Sequence, residues 1–91
     1  MHVVTTHRNA DFDGLASMVA VRKLYPEVYL VLSGGAQEAV HAFLSAHDLN
    51  LTKLKDIDPA KVTRLILVDT HEPDRIGPFK RCWNNPSVEI L

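Results

Sequence analysis

The sequence has little cysteine: Cys82 is the single one among 91 residues. One cysteine cannot form an internal disulfide, and Cys82 has no nearby partner at the spacing of a zinc site. We therefore expect Cys82 to pack in the core or lie on the surface. A disulfide framework is excluded as the basis of the fold.

An excess of one charge and long apolar runs are also lacking. The formal net charge is −1, which gives no global attraction for nucleic acid, so a phosphate-bearing substrate would need a local cation or a bound metal. No apolar run approaches the roughly 20 residues that span a membrane, and no basic segment followed by an apolar one marks a secretory signal. We expect no membrane insertion and a cytoplasmic location.

The composition is that of an ordinary globular protein, with 46% hydrophobic and 23% charged residues. A chain of this length makes one small domain and buries only about 60–65% of the surface that its unfolded form exposes. The core is therefore marginal, and we expect the chain to be part of something larger.

The most informative stretch is residues 3–17, where an apolar strand end gives way to a polar loop and then to a helix. Asp13 is predicted to start the helix, because aspartate accepts hydrogen bonds from the free N–H groups of a first turn. The loop before it carries His7 and Asp11. Loops that leave the carboxyl ends of strands bind ligands in open α/β sheets. One imidazole and two carboxylates there suit a divalent metal of the manganese type.

The residues of this loop also match three other interpretations. An EF-hand calcium loop fails because its twelfth position, which needs a glutamate, is Ala20. A haloacid-dehalogenase phosphatase, with Asp11 as nucleophile, is a weaker alternative because several polar residues follow the strand and Leu15 stands where threonine is usual. A plain polar loop with an aspartate helix cap also stays open.

The rest of the chain alternates strands and helices. The patterns predict helices over 13–25 and 36–47, strands over 28–32, 64–70 and 88–91, a mixed connector over 50–62 and a short helical segment over 73–84. Such alternation implies right-handed parallel βαβ units. The fold class is therefore α/β, a Rossmann-like parallel sheet flanked by helices.

Asp69 ends the clearest buried strand, a run of four aliphatic residues. Parallel strands place their carboxyl ends on one side of a sheet, so Asp69 is expected to converge with Asp11 and Asp13. His71 and Glu72 follow; the start of a turn is the favoured interpretation, and outer support of the site is the alternative.

The pattern of His7, Asn9, Asp11 and Asp13 in a strand-to-helix loop, followed by Asp69, resembles the first two motifs of the DHH phosphoesterase superfamily. The similarity extends through residues 16–18, 24–26 and 67–70. In detail it is most similar to the DHH module of bacterial proteins that join DHH, CBS and poly(A)-polymerase or tRNA nucleotidyltransferase-like segments. Residues 1–91 would then be the N-terminal portion of an incomplete DHH domain, because the Asp-His-His element that names the family is absent.

This resemblance implies a site with two manganese ions. His7 and Asp11 would bind one ion, Asp13 the other, and Asp69 would bridge both, with Asp13 and Asp69 contributing directly to catalysis. The implied activity is hydrolysis of phosphoester bonds in a nucleotide, an oligonucleotide or RNA. The alternative from another class is a non-catalytic nucleotide-binding or regulatory module. We expect the 91-residue chain itself to be inactive and its sheet edge to favour self-association.

Overall fold

The computed structural model describes residues 1–69, 75–83, 85–86 and 88–90, and its strands all pair in parallel. The strands are β1 (His2–Thr5), β2 (Tyr29–Leu30), β3 (Arg64–Leu67) and β4 (Glu89–Ile90), and the α-helices are α1 (Phe12–Leu24), α2 (Glu38–Ala46) and α3 (Lys80–Trp83). The sheet has the order β2-β1-β3-β4. The predicted α/β fold with a Rossmann-like parallel sheet is confirmed.

Strand β1 lies between β2 and β3, and its successive residues pack into two separate hydrophobic cores. Val3 and Val4 are both fully buried and point to opposite faces, as neighbours in a strand do. The core around Val4 contains Met18 of α1, together with Val28 and Leu30. The core around Val3 is larger and includes Leu65, Ile76, Phe79, Cys82 and Val88. Cys82 therefore has a packing role.

Several boundaries differ from those predicted. Helix α1 begins at Phe12 and is capped by Asp11, so the prediction that Asp13 caps it is wrong. Strand β2 spans two residues rather than five, and β3 ends at Leu67 rather than at residue 70. The connector over 50–62 folds into two 3₁₀ turns, Leu54–Asp56 and Pro59–Lys61.

The last predicted elements are covered in part. A 3₁₀ turn, Gly77–Phe79, leads into α3 within the predicted helical segment, and β4 falls within the predicted last strand. Residues 73, 74, 84 and 91 of those predictions lie outside the described residues. Over the part of the chain that the structure describes, no helix has both the length and the apolar character needed to cross a membrane.

Candidate metal centre

His7 lies directly beyond β1, in the loop that leads to α1. Its side chain is only 10% exposed, and its Nδ1 lies 2.8 Å from the carbonyl oxygen of Arg8. A carbonyl can only accept a hydrogen bond, so Nδ1 is the donor. In the neutral ring Nε2 is then the atom with a free lone pair, which is the tautomer that a metal ligand needs.

Two carboxylates face His7 Nε2 from different parts of the chain. Asp69 Oδ2 lies 3.6 Å away and Asp11 Oδ2 lies 4.0 Å away. One ligand atom from each of the three residues lies within 4.8 Å of the other two. The imidazole forms the buried floor of this group, and the carboxylate side chains, 38% and 43% exposed, open to solvent.

The donor set and its spacing fit a single divalent cation. Two ligand atoms bound to one ion at about 2.1 Å lie at most about 4.2 Å apart. Both distances from His7 Nε2 already fall within that limit. One nitrogen and two carboxylate oxygens are the mixture that manganese-type ions accept. His7, Asp11 and Asp69 would hold the ion.

The position of Asp11 follows from its role as the helix cap. Its Oδ1 accepts a hydrogen bond of 2.9 Å from the backbone N–H of Gly14, and its Oδ2 is the atom that faces His7. A side chain added at Gly14 would approach Thr6 Oγ1 to 2.9 Å, so the cap depends on glycine at that position. The helix cap therefore restrains Oδ1 of Asp11 and leaves Oδ2 facing His7.

Asp69 lies two residues beyond β3, where the backbone takes a left-handed conformation with φ of 58°. Aspartate is one of the few residues with a side chain that visits this region readily. The preceding residue is fixed on both sides, because Val68 N–H donates to Thr5 O and Val68 O accepts from Thr6 Oγ1. The turn after Val68 therefore carries Asp69 toward His7.

Asp13 is exposed in the first turn of α1 and does not belong to the group of His7, Asp11 and Asp69. The structure thus brings together three of the four predicted ligands. Metal binding by any of them, the second ion and a catalytic role for Asp13 and Asp69 stay predictions. His71 and Glu72, predicted to start a turn, lie outside the described residues, as does Thr70.

Three buried hydroxyl groups beneath the site were not identified from the sequence. Thr5 Oγ1 donates to Val31 O, Thr6 Oγ1 to Val68 O, and Ser33 Oγ to Thr6 O, at 2.6, 2.8 and 2.7 Å. These bonds join the last residue of β1 and the residue after it to the chain beyond β2 and β3. The available signal was the presence of hydroxyl residues at the ends of apolar strands.

The candidate site is thus a cluster of one imidazole and two carboxylates at the carboxyl edge of a parallel α/β sheet. No family model matches the sequence, and no solved structure matches it. The chain is similar to the A-adding tRNA nucleotidyltransferase of Geobacter sulfurreducens, with 44% identity over 93 residues. The match covers 99% of this chain and 11% of that protein, so the chain spans about a ninth of the relative's length.

Proposed function

We propose that this chain is the N-terminal, metal-binding part of a DHH-type phosphoesterase domain in a larger, tRNA nucleotidyltransferase-related protein. Its substrates would be phosphoester bonds of a nucleotide, an oligonucleotide or RNA, its cofactor Mn²⁺, and its location the cytoplasm. The similarity to a nucleotidyltransferase named for tRNA supports a nucleic-acid substrate and a longer parent chain.

The observation that carries this proposal is the convergence of His7, Asp11 and Asp69. Asp69 is separated from His7 by 62 positions in the sequence, yet its carboxylate lies 3.6 Å from the imidazole. The meeting point is the carboxyl edge of a parallel sheet, where α/β enzymes bind their ligands. The two carboxylates are exposed, but both face the Nε2 atom of one buried imidazole, which supports a metal-binding role.

The residues of the chain have distinct tasks in this proposal. The Arg8 carbonyl accepts a hydrogen bond from His7 Nδ1, so that in the neutral ring the lone pair of Nε2 is the one left for a metal. Asp11 is held by its helix cap, and Asp69 reaches the site by its left-handed backbone. A bound divalent metal would supply Lewis-acid catalysis and activation of the attacking water. Asp13, the second residue of α1, would be a ligand of a second ion.

One observation favours the non-catalytic module as a second candidate. Within the described residues the cluster supplies three donors for one ion, and Asp13 is not among them. Two-metal phosphoester hydrolysis needs ligands for both ions. A module that binds a single ion and a nucleotide without hydrolysis would need no more than these three donors. By contrast, the Asp11 oxygen that does not cap α1, Oδ2, faces the imidazole of His7, which suits a metal ligand better than a phosphatase nucleophile.

Manganese titration calorimetry and an assay with a dinucleotide test the proposal. We expect Asp69→Asn to weaken manganese binding by about tenfold or more while the circular dichroism spectrum is kept, because asparagine also tolerates the left-handed backbone. In the longer parent protein the same variant is expected to lose hydrolysis. Asp48→Asn, an exposed change beyond α2, is the matched control.

Unchanged manganese affinity in both Asp69→Asn and His7→Ala would refute the metal site. Normal manganese binding without hydrolysis by the parent protein would instead favour the regulatory module. A stoichiometry of two ions per chain, reduced to one in Asp13→Asn, would assign Asp13 its predicted role.

A further inference from the structure

Ser33 lies three residues beyond β2 and is buried, with only 2% of the residue exposed. Its hydroxyl donates a hydrogen bond of 2.7 Å to the carbonyl oxygen of Thr6. That carbonyl belongs to the peptide unit that joins Thr6 to His7. Ser33 therefore acts on the backbone of a proposed metal ligand rather than on the metal itself.

The two peptide units that flank His7 are both held by hydrogen bonds. Ser33 holds the unit before His7. The unit after it is held because Arg8 N–H donates to Arg75 O at 2.6 Å. A residue has only two soft backbone dihedrals, φ and ψ, and these relate its two peptide units. With both units held, backbone contacts set the direction in which the His7 side chain leaves its Cα.

Ser33 is itself held in place by its surroundings. The carbonyl oxygen of the next residue, Gly34, accepts a hydrogen bond of 3.2 Å from Asn9 N–H. The Ser33 carbonyl oxygen lies so close to Gly77 that a Cβ at that position would collide with it. Gly77 has a φ of 57°, which glycine adopts without strain. The hydroxyl of Ser33 is therefore presented to Thr6 from a fixed position.

The candidate metal centre has little tolerance for a shift of the imidazole. His7 Nε2 lies 4.0 Å from Asp11 Oδ2, and two ligand atoms of one ion can be at most about 4.2 Å apart. Sites of this kind need their ligands held to within about 0.5 Å. A His7 backbone that rotated more freely would lose this precision, so the contacts that hold it affect metal binding.

We propose that Ser33 is a positioning residue for His7. Its hydroxyl orients the peptide unit between Thr6 and His7. It thereby holds the imidazole at the distances from Asp11 and Asp69 that one divalent cation requires. The inference rests on the proposed function, because it concerns a ligand of the same metal centre. It gives the loop after β2 a role in metal binding that is separate from the ligands themselves.

Thr5 provides a matched control for Ser33. Its hydroxyl is also buried and donates to Val31 O at 2.6 Å, so it too joins the end of β1 to the segment beyond β2. Thr5 Oγ1 also lies 3.5 Å from Thr6 O, but its single hydrogen is directed to the closer Val31 O. Loss of either hydroxyl removes a buried hydrogen bond, but the loss at Ser33 is the one that releases the peptide unit before His7.

The test compares Ser33→Ala with Thr5→Val in the full chain, by calorimetric titration with manganese and by thermal unfolding. We expect both variants to be less stable than the wild type. Ser33→Ala should weaken manganese binding by about tenfold, an effect typical of residues that orient a ligand. Thr5→Val should change it by less than about twofold. The titrations are made below the thermal midpoint of the least stable variant.

The ring nitrogens of His7 give a second readout that needs no metal. At about pH 8, where a free imidazole is neutral, we expect the metal-free wild type to show the nitrogen chemical shifts of a ring protonated on Nδ1. Ser33→Ala should move these shifts toward the average of the two tautomers, whereas Thr5→Val should not. His7→Ala identifies the signals among those of the five histidines.

Equal losses of manganese affinity in Ser33→Ala and Thr5→Val would show that Ser33 only supports the sheet, and would overturn the proposal. Unchanged manganese affinity in Ser33→Ala would overturn it as well. Failure of the wild type to bind manganese would overturn the proposed function instead, and the His7 shifts would then decide whether Ser33 orients that ring. Ser33→Cys, whose thiol is a weak donor, replaces Ser33→Ala in every comparison if the alanine variant does not fold.

Discussion

The two carboxylate oxygens of Asp11 perform different tasks, and substitutions separate them. Asparagine is as good a helix cap as aspartate, so Asp11→Asn should keep the free energy of unfolding within about 0.5 kcal/mol. The same change removes a charged ligand and should weaken manganese binding. Asp11→Ala loses the bond to Gly14 as well, and is expected to cost about 1 kcal/mol of stability.

Urea unfolding without metal and manganese titration measure the two effects independently. Asp56→Ala, an exposed change in the first 3₁₀ turn, is the control for loss of a carboxylate. If Asp11→Asn were as unstable as Asp11→Ala, the charge and not the cap would hold the start of α1.

Burial raises the pKa of the Cys82 thiol, and the Arg81 guanidinium lowers it by less. The unfolded chain therefore loses the thiol proton at a lower pH than the folded chain. Above the ordinary cysteine pKa, about 8.5, the folded state binds more protons, so stability falls as pH rises through the interval up to the raised pKa. Below that interval the contribution is fully present.

We expect denaturant midpoints measured between about pH 8 and 10 to fall more steeply in wild type than in Cys82→Ala. The variant itself is less stable throughout, because Cys82 is packed in the core and its Sγ donates to Pro59 O at 3.4 Å. Parallel slopes for the two proteins would contradict the assignment of this pH dependence to Cys82.

At the scale of elements, the hydroxyl of Thr6 connects the end of β1 to the end of β3. Valine has nearly the same shape but no donor, so Thr6→Val leaves the partly buried Val68 carbonyl with one partner fewer. The expected loss of stability is about 1 kcal/mol. Because Asp69 follows Val68, we also expect weaker manganese binding.

Thr63→Val is the matched control, since Thr63 is exposed and distant from the carboxyl edge. Chemical denaturation and manganese titration give both readouts. A destabilised Thr6→Val variant with unchanged manganese affinity would show that the hydroxyl supports the sheet but does not position Asp69.

The elements that the sequence predicted well are those whose periodicity records burial. The aliphatic run before Asp69 predicted β3, and the spacing of Leu15 and Met18 predicted α1, since both residues are buried. Leu24 matched the same helical spacing yet is 76% exposed, so spacing alone did not decide which of these positions are buried.

The details of the candidate site depend on tertiary contacts and could not be predicted. Asp11 rather than Asp13 caps α1 because the Asp11 carboxylate, two residues earlier, is the one that reaches the N–H of Gly14. Asp69 reaches His7 because its own backbone is left-handed, directly after the hydrogen bond that fixes Val68. Periodicity predicts which face of a helix or strand is buried, but it does not predict the helix cap at Asp11 or the backbone turn at Asp69. The convergence of Asp69 with His7 was nevertheless predictable, because parallel strands share one carboxyl edge.

At the scale of the whole molecule, the proposed metal site would join the loop after β1 to the turn after β3. A ligand that binds only the folded chain adds about 2.7 kcal/mol to the free energy of unfolding at one hundred times its dissociation constant. We therefore expect manganese to raise the thermal midpoint of the wild type and not that of Asp69→Asn. Magnesium and calcium, which lack affinity for imidazole, should have smaller effects.

The last prediction concerns how much of the reaction these 91 residues perform alone. Each manganese ion takes about five or six donors, and the cluster offers three, so we expect weak manganese binding and no turnover by the chain itself. The Geobacter sulfurreducens relative is about nine times longer, which leaves room for further ligands and for a surface that closes over the substrate. The measurement compares this chain with a version extended to that length, side by side, against a dinucleotide and a small phosphodiester with manganese titrated in. We expect hydrolysis only by the extended protein, and expect Asp69→Asn to abolish it. Equal turnover by the two would show that the site is complete within residues 1–91 and that the donors missing from the cluster come from water and substrate.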